Sequence, residues 1–149
     1  MLVKDVMIKK VITLKANQTL AQVAEIFVEK NISGAPVLGR GNKLIGIISE
    51  KDLFKALYPD SKDILSNIKL WFEKEKTNYK VEKKKKMIIK DLMTKEVVSI
   101  GEEDAILKAG ALMLSTNIHR LPVLRDGKLV GIVSRRDIFR KLLKEKFDL

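Results

Sequence analysis

Gly131-Ile-Val-Ser134-Arg-Arg-Asp137-Ile-Phe139 recurs in this chain as Gly46-Ile-Ile-Ser49-Glu-Lys-Asp52-Leu-Phe54, 85 residues earlier. In both copies a β-branched apolar run ends at a Ser, and an Asp follows three residues later at the start of an amphipathic segment. This order is typical of a strand that continues directly into a helix. The chain therefore contains two strand–helix units of the same design.

The similarity extends outward from these units over most of the chain. Val3-Lys-Asp-Val-Met7 matches Ile89-Lys-Asp-Leu-Met93 at an offset of 86 residues, and the offset falls to 85 after the additional residue Asn42. A shared register of this length indicates an internal duplication. Three parts are predicted: a first repeat at residues 1–58, a helical insert with a Lys-rich linker at 59–88, and a second repeat at 89–149.

Each repeat is predicted to contain a strand, a helix, two strands and a final helix, in that order. Val11–Leu14 is a β-branched run, which favours the first strand. Thr19 and Gln22 fit a capping box at the start of the first helix, and Asn31 tolerates the left-handed backbone that ends a helix. The predicted buried face of this helix consists of Leu20, Val23, Ala24 and Phe27.

The second repeat follows the same plan. Asp104 is predicted to cap the helix that corresponds to the first one, and Asn117 is predicted to end it. Asp126-Gly127 is a strong signal for a tight hairpin turn between two apolar runs. The last helix of each repeat is predicted to bury an apolar face, formed by Leu53, Phe54 and Leu57 in the first copy and by Ile138, Phe139, Leu142 and Leu143 in the second.

The insert between the repeats has a different pattern. Ile64, Leu65, Ile68, Trp71 and Phe72 have helical spacing, which predicts an additional amphipathic helix that packs back on the repeats. The lysines that follow, Lys83–Lys86 among them, are interpreted as a solvated connector. Contact with nucleic acid is the alternative interpretation of this run.

The composition limits the class of protein. With 149 residues and 46% apolar side chains, the chain is long and apolar enough to form a buried core. It has no Cys and no recognisable membrane span or signal peptide, so we expect a soluble cytoplasmic protein without disulfides. The net charge of +11 fits either an anionic partner or the Lys/Glu-rich surface of a heat-adapted protein.

The sequence contains no recognisable catalytic set. His119 is the only histidine, which argues against a histidine metal site and leaves one candidate for acid–base catalysis. There is no Cys nucleophile, no Gly-x-Ser-x-Gly elbow and no glycine-rich phosphate loop. We therefore predict that the protein is not an enzyme, and that it requires no metal and no cofactor.

The doubled Ser-x-x-Asp element has two interpretations. In the first, Ser49 and Ser134 are helix N-caps, and Asp52 and Asp137 complete a capping box. In the second, the same helix starts form a nucleotide site, because free N–H groups and a Ser hydroxyl can bind phosphate. A carboxylate one turn further along can accept hydrogen bonds from the two vicinal hydroxyls of a ribose. Two copies then predict two pseudo-symmetric sites.

His119-Arg120 precedes the Pro122-Val123 strand and supplies two groups that can bind phosphate. The first repeat has Ser33-Gly34 at the corresponding positions, so it lacks the cation. The two predicted sites should therefore differ from each other. The alternative for His119 is a residue of a surface loop that binds nothing.

These motifs resemble those of a tandem pair of cystathionine-β-synthase (CBS) domains, called a Bateman module. The resemblance covers both repeats and rests on Asp-x-Met near each start, the Pro-Val strands and the doubled Gly-Ile-(Ile/Val)-Ser-x-x-Asp. It implies an α/β (α+β) fold of two pseudo-symmetric β-α-β-β-α repeats packed through their sheets. It also implies a homodimer, and clefts between the repeats that bind AMP, ADP, ATP or S-adenosylmethionine.

The resemblance assigns roles to individual residues. The implied ligand contacts are Asp52 and Asp137 for the ribose hydroxyls, Ser49, Ser134, His119 and Arg120 for the phosphates, Thr13 and Ser99 for the adenine and ribose, and Ala35 and Leu121 for the base pocket. The family often has Thr where this chain has Ser in both copies. The insert at 59–88 is longer than a minimal linker, so no role is transferred to it.

The leading hypothesis is a regulatory module that binds an adenine nucleotide, without catalysis, and signals to an effector protein. A second hypothesis is a nucleic-acid-associated protein that uses the Lys-rich linker and the last helix. A third is a structural dimer whose clefts are empty.

Overall fold

Apolar runs and turn residues alternate along both repeats, and most runs become a strand or a helix. The computed structural model describes residues 1–57 and 84–149. Its strands are β1 (Leu14–Lys15), β2 (Gly34–Leu38), β3 (Leu44–Ser49), β4 (Ile100–Gly101), β5 (Arg120–Arg125) and β6 (Lys128–Ser134). Its α-helices are α1 (Leu20–Lys30), α2 (Glu50–Ala56), α3 (Ile106–Thr116) and α4 (Arg135–Phe147). The predicted helix around Trp71 lies outside the described residues.

The strands form two three-stranded sheets, ordered β1-β2-β3 and β4-β5-β6. In each sheet the first strand is parallel to the second, and the second and third form an antiparallel hairpin. The predicted order of strands and helices is confirmed. The predicted extent Val11–Leu14 is wrong, since only Leu14 of that run pairs with β2. A β-branched run indicates extended, buried backbone, but it does not show which residues have a neighbouring strand.

The hairpin turns follow the residue types at their tips. Asp126 and Gly127 have φ values of 50° and 77°, and Arg125 pairs directly with Lys128. Two left-handed residues between paired positions form a turn whose twist matches that of the strands, so the predicted turn is confirmed. The first hairpin has one more residue and closes instead through a 3-10 turn, Arg40–Asn42.

Polar residues cap the helices at several of the positions that the sequence predicts. The Oγ1 atom of Thr19 accepts the N–H of Gln22 at 3.2 Å, and Oε1 of Gln22 accepts the N–H of Thr19 at 2.9 Å. This is the predicted capping box. Asn31 and Asn117 end α1 and α3 with φ values of 50° and 55°, which confirms both predicted left-handed caps.

Two groups of helix predictions are wrong. The N-cap of α3 is Ala105, and the Asp104 carboxylate instead accepts the N–H of Gly101 and the ammonium group of Lys108, each at 2.9 Å. Helical spacing identifies an apolar stripe but not whether another element covers it. The predicted core residues that remain exposed are Ala24, Phe54, Leu57 and Phe139.

The beginning of each repeat packs into the core of the other repeat. Val3, in the 3-10 turn Val3–Asp5, is fully buried among apolar residues of the second repeat. Ile89, in the 3-10 turn Ile89–Asp91, is fully buried among apolar residues of the first repeat. Each hydrophobic core is therefore built from both halves of the sequence.

Backbone hydrogen bonds fix this exchange with two-fold pseudo-symmetry. Ile8 and Ile132 exchange both N–H···O bonds, at 2.9 and 3.0 Å. Thr94 and Ile47, which are the equivalent pair, do the same at 2.9 and 3.0 Å. Each segment thus pairs with the last strand of the opposite sheet.

The repeated Asp-x-Met and Gly-Ile motifs meet in space through this exchange. A Cβ atom on Gly131 would lie 2.6 Å from Sδ of Met7 and 3.1 Å from the carbonyl oxygen of Ile8. A Cβ atom on Gly46 would overlap Sδ of Met93. These distances are well inside van der Waals contact, so both glycines provide the space in which the opposite Met packs.

An ion pair reinforces the second repeat, and the described part of the first repeat has no equivalent pair. The Glu102 side chain is 89% buried and accepts two bonds from the guanidinium of Arg125, the one from Nη2 at 2.8 Å. These hydrogen bonds lower the pKa of Glu102 below its usual range. Ala16 occupies the equivalent position in the first repeat, which has no such carboxylate.

We expect Gly131→Ala to destabilise the protein by about 1–3 kcal/mol, because the new methyl overpacks the contact with Met7. Chemical denaturation would measure the free energy of unfolding. In the double variant with Met7→Ala, the space left by Met7 accommodates the new methyl. Its loss of stability should therefore be smaller than the sum of the two single losses. Strict additivity would show that Met7 is not the obstacle.

We expect Glu102→Gln to lower the free energy of unfolding at pH 7 and to have little effect in acid. The folded-state pKa of Glu102 is depressed, so its stabilisation is present above the unfolded-state pKa and is lost as the pH falls through the folded-state value. Urea titrations at several pH values would measure it. Glu103→Gln, at an exposed pair with Lys4, is the matched control and should have a smaller effect.

Candidate ligand-binding site

The second Ser-x-x-Asp element begins α4 as a tight cap. Oγ of Ser134 donates to Oδ2 of Asp137 at 2.7 Å and accepts the N–H of Asp137 at 3.2 Å. The side chains of both residues are half-buried. Ser134 is therefore confirmed as the N-cap of α4, but the predicted capping box is incomplete in this copy, because no bond joins the backbone N–H of Ser134 to the Asp137 carboxylate.

The first Ser-x-x-Asp element forms the complete predicted capping box at the start of α2, with one bond that the second element lacks. Oγ of Ser49 donates to Oδ2 of Asp52 at 3.0 Å, and the N–H of Ser49 donates to the same oxygen at 2.9 Å. Among the described residues, none donates to Oδ1 of Asp52 or of Asp137. Each half-buried carboxylate therefore keeps an oxygen that can accept hydrogen bonds from a ligand.

Backbone bonds tie both helix starts to the preceding hairpins. The N–H of Glu50 donates to the carbonyl of Ser33 at 2.8 Å, and the N–H of Arg135 donates to that of His119 at 2.7 Å. The first residues of β2 and β5 consequently lie beside the Ser that caps α2 and α4, respectively. This contact brings His119 close to Ser134, as the sequence predicts for a common site.

Arg120 extends from the second repeat to the first. Its guanidinium donates to Oγ of Ser33. A Cβ atom on Gly34 would lie 3.2 Å from Cδ of Arg120. The missing side chain at Gly34 thus leaves room for Arg120 to cross between the repeats.

Two cavities lie along α4. The first, about 620 Å³, is bordered by polar groups of His119, Arg120, Ser134, Arg135 and Arg136 and by an apolar wall from α3 and α4. Asp137 lines a second cavity of about 510 Å³, together with Asp5, Arg140 and Lys144. Ser134 and Asp137 therefore face different cavities while remaining hydrogen-bonded to each other.

The remaining predicted contacts have different surroundings. Thr13 is exposed directly before β1, and Ser99 is half-buried directly before β4. Ala35 and Leu121 expose no surface and belong to the two hydrophobic cores. The structure gives the last two a packing role, and contact of any of these four with an adenine stays a prediction.

Sequence reasoning left Arg135 and Arg136 out of the site, although both line the first cavity. The signal was their position between the capping Ser134 and Asp137, on the first turn of the helix. Two consecutive cations there replace Glu50 and Lys51 of the first repeat. This difference in charge between the two repeats could have identified both arginines from the sequence.

The chain belongs to the CBS domain family, whose model matches residues 3–59 and 89–144. It is 37% identical over 155 residues to the uncharacterized protein MJ1426 of Methanocaldococcus jannaschii, covering 96% of this chain and 92% of that protein. It spans only 42%, 40% and 23% of three longer curated relatives. The predicted family is thus confirmed.

Two solved structures are similar over nearly their whole length. One is the CBS domain pair of protein MJ0100 in complex with 5′-methylthioadenosine and S-adenosyl-L-methionine, 28% identical with a TM-score of 0.75 over 97% of this chain and 98% of that one. The other is CBSX2 of Arabidopsis thaliana in complex with AMP, 26% identical with a TM-score of 0.73 over the same shares. The predicted fold class is confirmed.

No helix within residues 1–57 and 84–149 is long and apolar enough to cross a membrane.

Proposed function

We propose that this protein is a regulatory module that binds an adenosine compound at its two Ser-x-x-Asp helix starts. One observation carries the proposal: both Asp52 and Asp137 are half-buried carboxylates, held by a cap through one oxygen and open to a ligand through the other. MJ0100 binds 5′-methylthioadenosine and S-adenosylmethionine, and CBSX2 binds AMP. The feature common to these ligands is adenosine.

The ribose is the part of adenosine that the carboxylates suit. Its vicinal 2′ and 3′ hydroxyls are both donors, and a carboxylate accepts two such bonds in one plane. The cap holds each carboxylate in place before a ligand arrives, so little side-chain entropy is lost on binding. A half-buried setting also strengthens these hydrogen bonds relative to water.

Regulation requires that ligand binding favour one of two conformations. Each sheet contains a backbone-paired segment from the other repeat, so a shift at one helix start is transmitted to both cores. We propose that an effector protein reads this shift. The free energy available to it is limited to the ligand's differential affinity for the two conformations.

We also propose that the module works as a homodimer. Large apolar side chains are exposed at equivalent positions of the two repeats. They are Val28 (82% exposed) and Leu114 (84%) on the first helix of each repeat, and Phe54 (54%) and Phe139 (58%) on the last helix. The two phenylalanines were predicted to be buried. Apolar groups on this scale favour burial against another surface. A second copy presents the same groups and can cover them symmetrically.

We expect adenosine compounds to raise the melting temperature of the protein with increasing concentration, since they bind only the folded state. The panel contains adenosine, AMP, ATP, S-adenosylmethionine and inorganic phosphate at fixed ionic strength. The double variant Asp52→Asn/Asp137→Asn keeps a capping oxygen at both helices but loses the charge that binds ribose. It should show no ligand-induced shift.

The matched control is Asp126→Asn, which removes one carboxylate charge from an exposed turn and should shift as the wild type does. Equal stabilisation of the double variant and the wild type would show that these carboxylates do not hold the ribose. Absence of any response in wild-type protein free of carried-over nucleotide would contradict the proposed function as a whole.

We expect Val28→Asp to convert a dimer into a monomer, because the exposed valine becomes an unpaired charge in the proposed interface. Light scattering coupled to gel filtration would measure the mass of the particle. Leu149→Asp is the control, since Leu149 is equally exposed but lies at the C-terminal end. A monomeric wild type, or a dimeric Val28→Asp, would argue against this interface.

A further inference from the structure

The tips of the two hairpins meet at the end of the sheets that lies away from the helix starts. Lys43 pairs with Lys128 in an antiparallel bridge between the two sheets. Strand β3 begins directly after Lys43 and ends at Ser49, and β6 begins at Lys128 and ends at Ser134. Since a strand rises about 3.3 Å per residue, each lysine lies about 20 Å from the capping serine of its own strand. The lysine pair is therefore remote from both Ser-x-x-Asp elements.

The paired lysines are equivalent residues of the two repeats, which are offset by 85 residues at this point. The pair consequently lies on the pseudo-two-fold axis that relates the repeats. Residues directly opposite each other on antiparallel strands project to the same face, with Cβ atoms about 4.5–5.5 Å apart. Both lysines are exposed. Like charges in this arrangement repel each other and destabilise the pairing of the strands.

Within residues 1–57 and 84–149, no carboxylate offsets this repulsion by an ion pair with Lys43 or Lys128. Arg40, in the 3-10 turn before Lys43, is a third exposed cation that forms no ion pair in the same ranges. The arginine of the second hairpin differs, because Arg125 is bonded to Glu102. The two tips thus present three cations to an anion from outside this part of the chain.

The surroundings of the lysines favour carboxylates of a protein over other anions. Neither lysine lines the cavities of about 620 and 510 Å³, and an exposed ion pair with a small anion contributes little binding energy. A nucleic-acid strand presents a charge about every 3.4 Å and requires a longer row of cations. Here Asp126, in the turn before Lys128, interrupts the row. A protein segment with a few carboxylates matches three cations and adds contacts of its own.

We infer that the hairpin tips dock an acidic segment of the effector protein, with Lys43 and Lys128 as the central contacts and Arg40 beside them. The existence of an effector rests on the proposed function, whereas the acidic character of the segment rests on the lysines alone. Each lysine belongs to a different sheet, so a shift of one repeat against the other changes the distance between the ammonium groups. A segment that bridges both ammonium groups favours one such distance, which lets it respond to the conformation of the module.

Charge reversal tests whether the lysines face each other. Lys43→Glu and Lys128→Glu each replace a repulsion with an attraction and should each raise the melting temperature by roughly 1–4 °C. The double variant restores a like-charged pair, so its melting temperature should lie below the value that the two single shifts predict by addition. Additive shifts would show that the two side chains do not interact, and would overturn the site.

Fluorescence anisotropy with a labelled oligo-glutamate peptide at low salt measures docking on the full chain. Lys43→Gln/Lys128→Gln should weaken binding of this peptide about fivefold or more, because two charge-assisted contacts are lost. Lys30→Gln/Lys146→Gln is the matched control. It removes the same net charge at exposed positions in the last turns of α1 and α4 and should change the affinity less than about twofold.

The outcomes separate the docking surface from the adenosine site. Equal weakening in both double variants would show that only net charge attracts the peptide, and would overturn the docking surface. A single-stranded oligonucleotide of the same charge that binds more tightly than the peptide, with the same dependence on Lys43 and Lys128, would overturn the acidic partner in favour of a nucleic acid. If the peptide binds as expected but no adenosine compound stabilises the protein, the proposed function fails while the docking surface stands.

Discussion

Backbone pairing between the start of each repeat and the last strand of the opposite sheet holds the two halves of this molecule together. Ile8 pairs with Ile132, and Thr94 pairs with Ile47. The apolar side chains that precede these pairs complete the core of the other repeat. Because each core lacks part of its apolar surface without the other repeat, the two repeats are expected to unfold together.

This pairing also connects the two candidate sites. Gly131 contacts the crossing segment at Met7, and three residues later the same strand ends at Ser134. Any displacement of the crossing segment therefore acts on a strand that leads directly into a helix start. The two-fold pseudo-symmetry repeats this connection at Gly46 and Ser49. A continuous series of packed elements therefore joins the two candidate sites.

The sequence predicted what depends on neighbours along the chain. Thr19, Asn31 and Asp126 act through nearby backbone, so their residue types were sufficient to predict caps and a turn. The exchange of segments was not predicted, because an apolar run shows that it is buried but not which repeat buries it. For the same reason the exposure of Phe54 was missed. The Ser-x-x-Asp geometry was predicted, while the separate cavities beside Ser134 and Asp137 depend on packing around α4.

Duplication followed by divergence explains why the two sites share a frame and differ in charge. The backbone bonds at Glu50 and Arg135 are needed to begin each helix, so they constrain geometry and leave the side chains free to vary. Gly34 opposite Arg120 is part of the same asymmetry, since a Cβ atom on Gly34 would lie 3.2 Å from Cδ of Arg120. One cation can occupy the position where Arg120 crosses between the repeats. The repeat that supplies this cation determines how positive charge is distributed between the two sites. Pseudo-symmetry of the fold is therefore compatible with different charges at the two helix starts.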